Sequence, residues 1–128
     1  MQEIVLKCWF SGQCTSADLQ ADMQDGEVRH GWLQPHHFED MDGRFEVETA
    51  HMLALCDALE AGQLSADHLR EIGYCLIASE HFFWDEDSAS GGRVGAVAVD
   101  WSSPEDSRPL DADGLGWYRR FLVGDSPD

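Results

Sequence analysis

The sequence predicts an α+β domain in which a small, mostly antiparallel sheet is packed by helices. Three features predict it: an alternating apolar segment at the N-terminus, two segments with helical apolar spacing joined by a short link, and two aromatic or valine-rich segments separated by a polar tract. At 128 residues the chain has the size of one domain, and such a domain buries roughly two-thirds of the surface its unfolded chain exposes. Residues 1–124 are read as that domain and 125–128 as a frayed tail.

From Glu3 to Phe10, Ile4, Leu6, Cys8 and Phe10 alternate with Val5, Lys7 and Trp9, which predicts an N-terminal strand covered on both faces. Ser11-Gly12-Gln13-Cys14 is a turn. Thr15 to Asp18 caps a short helix that carries Leu19 and Met23 and closes at Asp25-Gly26. Residues 27–44, interrupted by Pro35, are read as irregular.

Phe45, Met52, Leu55, Cys56 and Leu59 recur at helical spacing, and Gly62 is placed to end that helix in the left-handed conformation. Ser65 caps the next helix, Asp67 favours its positive end, and Leu64 can staple onto Leu69. Leu69, Ile72, Leu76 and Ile77 are expected to face inward as far as Ala78. The short link makes the two an antiparallel helical hairpin. His81 to Trp84 and Arg93 to Trp101 read as the strands of a β-hairpin around the loop Asp85 to Gly92. Ser102 to Pro109 is an exposed connection. Asp111 opens a C-terminal helix with Trp117, Tyr118, Phe121 and Leu122, stopped by Gly124.

Charge bears on function more directly than any motif. Asp plus Glu number 25 against 8 Lys plus Arg, a formal net charge of −17. That field repels nucleic-acid phosphates and anionic lipid headgroups and attracts basic surfaces. Direct binding to nucleic acid or membrane is therefore disfavoured, and a basic protein partner is expected. Acidity also arises from solubility or salt adaptation alone. No apolar run approaches a membrane span, and the start lacks a signal peptide, so the expected location is cytoplasmic. Cys8, Cys14, Cys56 and Cys75 contain no Cys-x-x-Cys spacing and are read as reduced, mostly buried thiols, although a Cys8–Cys14 bridge is open to the chain.

Catalytic signatures are missing. There is no Gly-x-Ser-x-Gly elbow, Walker loop or dinucleotide fingerprint, and no cofactor is implied. Glu48 with His51 and His68 with Glu71 have metal-site spacing, but the two histidines differ in level by about 10 Å along the predicted hairpin. His36, His37 and Glu39 carry donor atoms for a divalent cation, yet adjacent histidines point apart. A calcium loop starting at Asp85 would need Glu where Ala96 stands.

What remains is acids beside aromatics: Trp84 followed by Asp85, Glu86 and Asp87, and Trp101 leading to Glu105 and Asp106. An aromatic anchor ringed by carboxylates suits the grip of a basic cleft. In size and acidity the chain resembles small acidic immunity proteins, on bulk properties alone. The reading is an immunity- or antitoxin-type inhibitor of a cationic toxin, such as a nuclease. The alternatives are a regulatory or small-molecule-binding domain, with a pocket expected among Trp32, His51 and Trp84, and a metal-assisted hydrolase using His36 and His37.

Overall fold

The computed structural model describes residues 2–30, 43–103 and 110–124, with side chains only to residue 23 in the first stretch. Six helices and one pair of two-residue strands make up the described residues: α1 (Glu3–Phe10), α2 (Ser16–His30), β1 (Phe45–Glu46), α3 (Thr49–Glu60), α4 (Ala66–Ala78), β2 (Phe82–Phe83), α5 (Ala89–Ser102) and α6 (Ala112–Leu122). The protein is mostly helical, and the predicted α+β arrangement with an antiparallel sheet is wrong. The two strands run parallel, with Phe45 opposite Phe82 and Glu46 opposite Phe83.

The expected N-terminal strand is α1. Its alternation concealed a helical stripe in which Glu3 and Leu6 are buried three residues apart. The helix ends in a Schellman turn: the N–H of Gln13 donates to the Cys8 carbonyl at 2.8 Å, that of Gly12 to the Trp9 carbonyl at 3.0 Å, and Gly12 takes φ +78°. The segment from Arg93 to Trp101 is also helical. Val94, Val97, Ala98 and Trp101 are its buried positions, at offsets of three, four and seven, and Ser88 caps it by accepting the Gly91 N–H at 2.9 Å. Burial on a 3.6-residue period thus overrides the strand preference of its valines. No β-hairpin forms.

Two further boundaries move, and one expected core residue turns outward. Phe45 and Glu46 belong to β1, and α3 begins at Thr49. Helix α2 runs through Gly26 to His30, so 27–30 are helical rather than irregular. Ile77 points outward, 43% exposed, while Leu69, Ile72 and Leu76 are buried as expected. Helices α4 and α6 fall where their caps place them, and Gly62 and Gly124 take the positive φ predicted for helix stops. Pro35, the connection 104–109 and the tail 125–128 lie outside the described residues.

Helix α4 packs most extensively on α5 rather than on α3. A Cβ at Gly73 would sit 2.8 Å from Trp101 Cβ and 3.1 Å from the Ala98 carbonyl oxygen, so the two helices nearly touch at backbone distance there. Helix α3 lies against α5 and α6, and α1 against α2. The core joins all of them through Leu6, Leu19, Met52, Leu55, Ile72, Val97, Trp101 and Tyr118. Phe10 stacks on Phe45 and meets Phe82 edge-on, which fixes the strand pair to α1.

Candidate functional site

Each strand runs directly into a helix start. Glu46 and Glu48 precede α3, and Asp85, Glu86 and Asp87 precede α5; all five are exposed. Because β1 and β2 are parallel, both approaches leave the ladder in the same direction. The structure accordingly brings Glu46, Glu48 and Asp85 around one polar hollow of about 260 Å³, completed by Thr49, Ser88 and Ser90. Helix N-termini carry partial positive charge, which favours carboxylates there.

The turn between β2 and α5 is tightly built. The Asp85 carboxylate accepts the Asp87 N–H at 3.0 Å, and its carbonyl accepts both the Ser88 N–H at 3.1 Å and the Ser88 hydroxyl at 2.8 Å. Gly91 is required beneath it, since a Cβ would fall 1.8 Å from the Asp85 carbonyl oxygen. The acids therefore stand on fixed backbone.

On its other side the same turn borders an apolar groove of about 430 Å³ between α4 and α5. Ile77, Trp84, Gly92, Gly95, Ala96 and Val99 line it, with Glu86 beside them. The half-buried Trp84 indole lies over Gly95, where a Cβ would approach Nε1 to 2.7 Å; that N–H is buried and makes no hydrogen bond. Ile77 and Val99 remain 43% and 52% exposed, an unusual pair to leave open beside a Trp. The arrangement offers an apolar seat adjoining carboxylates. Among the described residues no three His, Cys, Asp or Glu are grouped to hold a metal ion.

The sequence-predicted residues divide. Trp84, Asp85, Glu86 and Asp87 meet at this corner. Trp101 is fully buried core, and its neighbour Asp100 accepts the Tyr118 hydroxyl at 2.7 Å, so that aromatic is no surface anchor. Glu105, Asp106, His36, His37, Glu39 and Trp32 lie outside the described residues. His51 packs on Phe10 and Phe45, with ring centroids 5.2 and 5.1 Å away, whereas Trp84 lines the α4–α5 groove. Sequence reasoning did not place Glu46, Glu48, Ile77 or Val99 at this corner, reading Glu48 with His51 as a metal-type spacing and Ile77 as core. The stripe Gly92, Gly95, Ala96 and Val99 signals the groove once the segment is seen to be helical; nothing signalled the parallel pairing that recruits the two glutamates.

Glu48-x-x-His51 is a helix cap. His51 Nδ1 accepts the Glu48 N–H at 2.9 Å, and His68 Nδ1 accepts the Ser65 N–H at 3.0 Å, each histidine standing at the third helical position. Burial lowers the His51 pKa, against a smaller upward pull from Glu48.

Comparison with protein-family models, with curated proteins and with solved structures returned no match. No helix among the described residues is long and apolar enough to cross a membrane.

Proposed function

We propose that the chain is an interaction protein that binds a basic protein surface through the corner built on Trp84 to Ser88. The observation that carries this reading is the meeting, on one rigid turn, of exposed carboxylates with an apolar groove floored by Trp84. Carboxylates steer a cationic partner at long range, and the groove supplies contact that excludes water after docking. Within that class, an immunity-type inhibitor is the specific form: its acids would occupy the cleft where a toxin, such as a nuclease, holds phosphates.

The test is affinity purification from the source organism at low and high salt, with the parent chain and with a variant carrying Asp85→Lys, Glu86→Lys and Asp87→Lys. A basic protein retained by the parent, released by salt and lost with the triple variant supports the reading. The parent and the variant retaining the same proteins, or the parent retaining no basic protein, refutes it.

A further inference from the structure

Cys8 and Cys14 are brought together by the Schellman turn that ends α1. The Cys8 carbonyl accepts the N–H of Gln13 and, at 3.2 Å, also that of Cys14. That bond ties the main chain of one cysteine directly to that of the other, so the two side chains spring from adjoining backbone. The turn is held by Gly12 in its left-handed conformation, with open space around it. The Cys8 side chain reaches the Cys14 thiol and, after burial, is the next cause of its raised pKa. Cys14 also lines an open cleft of about 600 Å³ with Trp9, Ser16, Gln20 and Gln63, which gives a small reagent a path to the sulfur.

We propose that Cys8 and Cys14 form a reversible dithiol site, closed to a disulfide by a peroxide or by a small-molecule disulfide such as oxidised glutathione. With hydrogen peroxide, one thiolate attacks an oxygen, the O–O bond breaks, hydroxide leaves and a sulfenic acid forms. The second thiol attacks that sulfur, the S–S bond forms and water departs. Two thiols and one peroxide give one disulfide and two waters, the two electrons passing from sulfur to oxygen. With oxidised glutathione, successive thiolate attacks release two molecules of glutathione. Cys56 and Cys75 stay out of this exchange because both are fully buried in the core, whereas Cys8 and Cys14 are half-buried.

The experiment treats the full chain with hydrogen peroxide or oxidised glutathione, unfolds it, blocks free thiols with iodoacetamide and measures mass. Two of the four thiols should escape blocking, and dithiothreitol should restore all four. Chymotryptic cleavage after Trp9 and Phe10 should leave two peptides joined through Cys8 and Cys14. Cys8→Ser and Cys14→Ser should each form no internal bridge and instead hold one glutathione on the remaining partner. Four blocked thiols in the treated parent, a bridge involving Cys56 or Cys75, bridging between chains only, or oxidation to sulfinic acid without a bridge would each overturn the proposal.

Discussion

Histidine replaces the usual Glu or Gln as the third-position member of two capping boxes, and at His51 this gives the cap a pH dependence. The bond at His51 runs from a backbone N–H to an unprotonated Nδ1, so protonation removes the acceptor. For His51 the folded-state pKa lies below the ordinary value near 6.5, and the unfolded chain therefore binds its proton more readily. Its contribution to stability is fully present above about pH 6.5 and fades as pH falls through the folded-state value. Urea denaturation of the parent and of His51→Gln between about pH 5 and 8 checks this. Glutamine keeps a cap without titrating, so the parent should lose stability relative to His51→Gln as the medium is acidified; a constant difference would count against the histidine cap. A second residue-scale expectation concerns Tyr118, whose hydroxyl donates to Asp100 at 2.7 Å. Tyr118→Phe should cost roughly 1–2 kcal/mol, since a hydrogen bond to a charged group is lost. The caps at Ser65 and Asp111 were legible because their side chains make local bonds that depend on a few neighbouring residues.

At the scale of elements, α4 and α5 approach to backbone distance at Gly73. A methyl group there meets Trp101 Cβ and backbone atoms, which cannot swing aside as the tip of a long side chain can. Gly73→Ala should lower stability by about 1–2 kcal/mol, the overpacking exceeding the gain in helix propensity. Gly116 in α6 has open space around its Cβ position, and Gly116→Ala should raise stability by about 0.5–1 kcal/mol. Thermal unfolding of the two variants should thus shift in opposite directions. The same packing explains where sequence reading failed. Glu3 to Phe10 and Arg93 to Trp101 each carry both an alternating and a helical pattern, and three glycines at 91, 92 and 95 argue locally against a helix. Which pattern is buried depends on the neighbours: Val94, Val97, Ala98 and Trp101 form the buried stripe of α5, α4 meets it at Ala98 and Trp101, and Gly91 is needed for the turn above it. Tertiary contact decided both cases, and with them half of the candidate site. The acids of 85–87 were visible as a run, whereas their alignment with Glu46 and Glu48 depends on a pairing of segments 37 residues apart, Phe45 with Phe82.

For the whole molecule, 25 acids against 8 strong bases repel one another. Some carboxylates are individually relieved: Arg119 reaches Asp57 at 2.9 Å and also Glu60, while the buried Glu3 meets His81 Nδ1 at 2.9 Å. Raising sodium chloride from about 0.01 M to about 0.15 M shortens the screening length from about 30 Å to about 8 Å. The thermal midpoint should rise over that range because net self-repulsion is damped. Association with a basic partner should slow over the same range, and this opposite response separates folding from recognition in one salt series. The two-residue strand pair has one further effect. Its hydrogen bonds, Phe45 N–H to the His81 carbonyl and Val47 N–H to the Phe83 carbonyl, act as a gauge that sets the distance between two banks of negative charge. A residue inserted between Glu46 and Thr49 would leave every acid present and every helix intact, yet it would slide one bank past the other. The alignment of the two charged banks is thereby written into a backbone register rather than into the number of their charges.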